Sequence, residues 1–167
     1  MRDSPEFDAF YAATAPRVIS QIYAMVGDRC EAEDAVSEAY SRAWQRWATV
    51  SGHTDPAAWV RTVAYRIAVS NWRRTWRRAV SHRRAAPPDS VPAPGPDTVT
   101  LVDALRKIPA AQRRAVVLHH LAGLSVAEIA EETHASVSAV KARLSRGRAA
   151  LAVLLDDKET QPCPTTT

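Results

Sequence analysis

Residues 85–100 read AAPPDSVPAPGPDTVT, five prolines in sixteen positions with no aromatic or large apolar cluster. Proline fixes its own φ, lacks a backbone N–H and pushes the residue before it away from the helical region. A segment this dense in proline can neither continue a helix nor pair inside a sheet, so it is expected to be a semi-extended linker. The chain of 167 residues is thereby cut into two small parts, and its 46% hydrophobic content suffices for an ordinary core in each. The expected boundaries are a first domain over 4–84, a linker over 85–97, a second domain over 98–156 and a disordered tail over 157–167.

On both sides of the linker the apolar period is helical, and no alternating strand pattern or Asn-Gly hairpin signal stands out. The fold class is all-α, two small helical domains. In the first part, Ser4 followed by Pro5 and Glu6 opens a helix, and Pro16 restarts one that runs to a turn at Gly27 and Asp28. Residues 31–47 place Ala35, Val36, Ala39, Tyr40, Ala43, Trp44 and Trp47 on one stripe, with Asp34, Glu38, Ser41, Arg42 and Gln45 opposite. The polar loop TVSGHTDP then leads into a long helix from about Ala57 to Val80. In the second part, helices fit 98–107 and 109–122, the latter starting at Pro109 and ending at Gly123 as a left-handed cap.

Charge is distributed unevenly. Residues 1–58 carry a net −4, whereas residues 59–84 hold eight arginines and no acid. Positive charge this concentrated predicts an anionic partner. In the stretch NWRRTWRR, Trp72 and Trp76 lie four apart on one helical face, as do Arg73 with Arg77 and Arg74 with Arg78. Aromatic faces stack on bases at about 1–3 kcal/mol each while guanidinium groups hold the backbone, so the surface suits single-stranded nucleic acid. For Trp44, Trp47 and Trp59 the core of a helical bundle is the more ordinary destination. Trp76 is the candidate for exposure.

Residues 124–151 read as a helix-turn-helix. Ser125 with Glu128 forms a capping box, Thr133 to Ala135 a turn, and Ser136 a cap for a longer basic helix. Ile129 and Ala130 would pack on Val140 and Leu144, while Lys141, Arg143, Arg146 and Arg148 carry charge with no acid between 135 and 151. Such a second helix enters a major groove. Ser136, Ser138, Ala139 and Ala142 are short enough to let it approach base edges. One basic surface thus fits duplex DNA and the other an unpaired strand, which suggests a protein that opens DNA.

At this point the residues resemble a family, the bacterial RNA polymerase sigma factors of the extracytoplasmic-function class, which keep only the second and fourth sigma regions. EAEDAVSEAYSRAW resembles the region 2 helix that docks on the polymerase clamp, AAWVRTVAYRIAVSNWRR the helix that melts and reads the minus-ten element, and residues 108–151 the region 4 that reads the minus-thirty-five element. The resemblance implies core RNA polymerase, through clamp and flap, and promoter DNA as partners, and it admits an anti-sigma factor. It implies polymerase contacts at Asp34, Glu38, Arg42 and Gln45. It implies minus-ten contacts at Trp59, Arg66, Ser70, Asn71, Arg73, Arg74, Trp76 and Arg77, with a flipped-base pocket formed by the loop from Thr49 to Pro56 and the start of the next helix. The minus-thirty-five contacts would be Ser136, Ser138, Ala139, Lys141, Ala142, Arg143 and Arg146. Arg66 and Ser70 stand where the family usually has Asn and Asp, and Ser138 and Ala139 where it has Gly and Thr. An extended linker of this length reaches about 50 Å at about 3.1 Å per residue, enough to join two DNA elements more than one helical turn apart.

The alternative is a one-component helix-turn-helix regulator, which leaves the tryptophan-bearing basic helix without a task. No enzyme signature is present: the five glycines are scattered, and no carboxylate pair or Cys and His constellation stands out. His119 and His120 are adjacent and would face different sides of a helix, as surface or satisfied histidines rather than metal ligands. No cofactor or metal is expected. Cys30 and Cys163 read as plain thiols. With no apolar run of about eighteen residues and no apolar leader after Met1, a cytoplasmic protein without membrane insertion is expected.

Overall fold

The computed structural model describes residues 5–79 and 95–159, except for the side chains of 72–79, 96 and 157–159. Backbone contacts divide the chain into two compact units, Met1–Pro92 and Ala93–Thr167. Among the described residues there are helices and no strand.

The first unit is built on α1 (Pro5–Val26), α2 (Arg29–Gln45), a single turn α3 (Trp47–Val50) and α4 (Pro56–Ala79). The long helices α1, α2 and α4 pack against one another pairwise. Ala32, Ala35, Val36, Ala39, Tyr40 and Ala43 form the buried stripe of α2, facing Val18, Ile22 and Met25 of α1 and Val60, Ala64, Ile67 and Ala68 of α4. The alanines let the helix axes come close. Asp28 caps α2 by accepting the Glu31 N–H at 2.9 Å, just after Gly27 takes a left-handed φ of 81°.

The structure corrects three sequence expectations in this unit. The helix expected to restart at Pro16 does not; α1 runs unbroken through it. Proline inside a helix removes one ladder hydrogen bond and costs about 3 kcal/mol, but Ala15 and Val18 on either side are buried, and that packing holds the turn in place. The stripe expected to end at Trp47 breaks at Arg46, whose φ of −121° starts α3. The turn brings Val50, inside the supposedly polar loop, into the core at 1% exposure. Arg61, one of the eight arginines of 59–84 from which an anionic partner was expected, is likewise buried at 4% exposure.

The second unit comprises α5 (Pro96–Arg106), α6 (Ala110–His120), α7 (Val126–Thr133) and α8 (Val137–Glu159). Its core gathers Val102, Leu105, Ile108, Val117, Leu118, Ile129, Val140, Leu144 and Leu151. Proline at the first helical position costs nothing, because its missing N–H has no intrahelical partner, so α5 starts at Pro96, inside the expected linker. Gly123, at φ 74°, reverses the chain after α6, and the Leu124 N–H donates to the Leu118 carbonyl at 3.0 Å, as the expected left-handed cap requires. Helix α8 continues to Glu159, past the point where the tail was expected to begin. Ser4, the segment 80–94 and residues 160–167 lie outside the described residues, as do the sequence expectations placed on them.

Candidate nucleic-acid interface

The turn between α7 and α8 is built by local hydrogen bonds. The Ser125 hydroxyl accepts the Glu128 N–H at 3.2 Å and the Glu128 carboxylate accepts the Ser125 N–H at 2.7 Å, a complete capping box. Hydrogen bonds to its carboxylate from the Ser125 side chain and, next, the Ser125 backbone N–H hold the Glu128 carboxyl below the usual carboxylate range. At the far end His134 takes a left-handed conformation, φ 52° and ψ 43°, and the Ala135 N–H reaches back to the Ala130 carbonyl at 3.0 Å. The chain is thus turned so that Ile129 and Ala130 meet Val140 and Leu144, all four buried as expected.

Helix α8 begins immediately afterwards. Ser136 caps it by accepting the Ala139 N–H at 3.1 Å and shares a contact of the same length with the Ser138 hydroxyl. Ser136, Ser138, Lys141 and Arg146 are exposed, while Ala139, Ala142 and Arg143 are half-buried. The first turn therefore presents hydroxyls and small side chains with the cations a turn or more further along, an order that permits close approach to base edges and phosphate contacts beyond. Val137 is 46% exposed in that same turn, an apolar group suited to a thymine methyl and one that polar and basic patterning in the sequence does not single out.

Arg148 has another partner: its Nε–H donates to His120 Nε2 at 3.1 Å. The His119 ring bonds the Leu124 carbonyl at 2.8 Å through Nδ1, so the two histidines tie α6 to the helix-turn-helix. Among the described residues no group of three or more His, Cys, Asp and Glu could hold a metal ion.

In the first unit, α4 carries the basic stretch as one helix through Ala79. The side chains of Arg73, Arg74, Trp76 and Arg77 are outside the described residues. Trp59, at its start, is half-buried. Trp44 and Trp47 are half-buried in an aromatic cluster, their rings 4.8 and 5.2 Å from Phe7.

Two groups of residues with separate expected roles prove to be neighbours. Glu38 and Arg42 of α2, and Arg66, Ser70 and Asn71 of α4, line one groove of about 220 Å³ floored by Ile67. Glu38 and Arg42 form an ion pair one turn apart. Asn71 also turns inward, hydrogen-bonding the Glu31 carboxyl, which burial pushes above the usual carboxylate range. No spacing rule within one helix could have found that Glu31 contact, because it crosses from α2 to α4. Asp34 and Gln45 are exposed on α2 with Glu38 and Arg42, one solvent-facing surface as expected.

A basic helix-turn-helix unit and a separate three-helix bundle bearing an arginine-rich helix define a bipartite DNA-binding protein. Sigma-70 region 2 matches residues 10–78, and Sigma-70 region 4 matches residues 98–151. The chain is similar to the ECF RNA polymerase sigma factor SigL of Mycobacterium tuberculosis, 31% identical over 80% of this chain and 79% of that protein. It is also similar to the ECF sigma factor BldN of Streptomyces coelicolor, 32% identical over 91% of this chain but 62% of the longer relative. Among solved structures, that of the sigma factor RpoE of Bartonella quintana in complex with the anti-sigma factor NepR shares the fold, with a TM-score of 0.78 at 21% identity over 92% of this chain and 98% of that one. The chain belongs to the extracytoplasmic-function sigma factors. As such it is a non-enzymatic initiation factor that binds core RNA polymerase and promoter DNA. No helix among the described residues is long and apolar enough to cross a membrane.

Proposed function

We propose that the two units divide promoter recognition between them. Residues 4–84 dock on the polymerase clamp through Asp34, Glu38, Arg42 and Gln45. The same unit reads and melts the minus-ten element along α4, through Trp59, Arg66, Ser70, Asn71, Arg73, Arg74, Trp76 and Arg77. Residues 98–156 contact the flap and read the minus-thirty-five element through Ser136, Ser138, Ala139, Lys141, Ala142, Arg143 and Arg146. Residues 85–97 join them. The protein acts in the cytoplasm, where the polymerase works, and an anti-sigma protein is a further partner, as NepR is for the Bartonella relative.

The observation that carries this reading is the capped, basic α8 presented by a complete helix-turn-helix, in one chain with an unbroken α4 across the arginine run. Run-off transcription with purified core polymerase and a promoter library tests it. Addition of this chain alone is expected to start RNA synthesis from defined promoters. A one-component regulator would bind DNA without doing so, and that result would overturn the assignment.

A further inference from the structure

The last turn of α6 and the second half of α8 bring together two exposed groups to which promoter reading assigns no role. Among the described residues the one hydrogen-bond partner of Arg148 is His120, whose Nε2 accepts the guanidinium Nε–H at 3.1 Å. An accepting Nε2 makes this imidazole neutral, with its proton on Nδ1, and the bond leaves both Nη groups of Arg148 uncommitted. The charged groups that act on His120 are Arg148 of α8 and His119 beside it on α6; no described acid of α5 or α7 joins them. Burial first, then those two neighbours, hold it below the ordinary histidine range, so it is uncharged at about pH 7 before any ligand arrives. Arg148 follows Lys141 by two turns, which sets both exposed cations on one flank of α8. From the Ser136 cap to Arg148 the helix axis advances about 18 Å at about 1.5 Å per residue. A major groove is about 12 Å wide, so with the cap at the base edges Arg148 stands at the bordering backbone rather than over a base.

We propose that Arg148 and His120 together hold one phosphodiester of the minus-thirty-five duplex, and that His120 takes up a proton from solvent as the DNA binds. A phosphate oxygen beside the imidazole favours its charged form. The proton enters at Nε2, the atom that accepts from Arg148 in the free protein. The Arg148–His120 bond is thereby broken, and both side chains become charged donors to the same anion. Such a pair recognises negative charge and is indifferent to base identity, so it adds affinity and a pH dependence without altering the sequence that is read. The inference rests on the proposed role of α8 in minus-thirty-five recognition. It adds a backbone contact from α6, outside the helix-turn-helix, and the proton that accompanies it.

The test uses holoenzyme, core polymerase with the full chain, and a fluorescent minus-thirty-five duplex titrated at several pH values between about 6 and about 8. The bound state holds one proton more than the free state, so affinity should rise as pH falls, by about 3- to 10-fold over that span. His120→Gln keeps an acceptor for Arg148 and cannot titrate, so it should remove most of the dependence. His120→Lys is charged throughout and should bind at about pH 8 as tightly as the unaltered protein does at about pH 6. Arg148→Ala should weaken all duplex sequences alike and lower the salt slope by about 0.9. Neutral methylphosphonates scanned along both strands should abolish the pH dependence at one position. His134, exposed in the turn before α8, is the other histidine near the recognition helix. If His134→Asn removes the dependence and His120→Gln does not, or if no single phosphate carries it, the proposal is overturned. Binding that does not change with pH sinks this inference alone; no binding to the duplex at any pH sinks the reading beneath it.

Discussion

Gly147 lies in the middle of α8 with its α-carbon against α6. A Cβ there would stand 2.8 Å from Val116 Cγ2 and 3.4 Å from Gln112 Cβ. The valine is stiff at χ1 within its helix, so it cannot swing aside cheaply. Gly147→Ala should gain about 1 kcal/mol of helix propensity and lose about 1–3 kcal/mol to overpacking. A net loss of about 1 kcal/mol is expected, seen as a fall in Tm of about 4–8 °C for the second unit. His120 sets a pH dependence in the same unit. Burial first, then the charge of Arg148 and the neighbouring His119, lower its pKa from the ordinary 6.5. The unfolded chain thus takes up the proton before the folded one does, so stability declines as pH drops below about 6.5 and levels off once the folded histidine is also charged. Urea unfolding should show that decline, and His120→Gln, which keeps an acceptor for Arg148 without titrating, should flatten it.

At the level of the element, α1 and α8 show how packing and local chemistry share control. Pro16 is exposed yet sits within an unbroken helix, with the Ser20 hydroxyl donating to its carbonyl at 3.0 Å. Its substitution by alanine restores a backbone donor and removes the ring clash, so Pro16→Ala should stabilise the first unit by about 1–3 kcal/mol in denaturant unfolding. A destabilised variant would mean that α1 needs its proline geometry. In α8, Lys141 and Arg146 are exposed and make no ion pair with a described residue. Lys141→Ala and Arg146→Ala should each weaken binding to a minus-thirty-five duplex several-fold; unchanged affinity for both would remove α8 from that role. Residues 124–151 were legible because the capping box, the turn and the Ser136 cap are made by neighbours in sequence. The break at Arg46 was not, since the apolar stripe runs through it and only the aromatic cluster around Phe7 bends the chain there.

At the scale of the whole molecule the charge asymmetry lies within the first unit, where the net −4 of residues 1–58 is followed by the eight arginines of 59–84. Arg73, Arg74 and Arg77 fall in the run of 59–84 that has no acid, and a chain this asymmetric binds polyanions with counterion release. Their joint replacement by alanine should reduce the salt slope of promoter binding by up to about 0.9 for each phosphate no longer neutralised, with minus-thirty-five binding unaffected. An unaltered slope would place those arginines off the DNA. Helical class, the caps at Ser125, Ser136 and Gly123 and the buried stripe of α2 were all readable from the sequence, since each depends on near-neighbour spacing or on backbone preferences that act residue by residue. The burial of Arg61, the Glu31–Asn71 hydrogen bond, the close approach at Gly147 and the common groove of Glu38, Arg42, Arg66 and Ser70 were decided by tertiary structure alone. These depend on how one helix is rotated and set against another. That arrangement minimises the free energy of the packed bundle as a whole and is encoded in no single stretch of the chain.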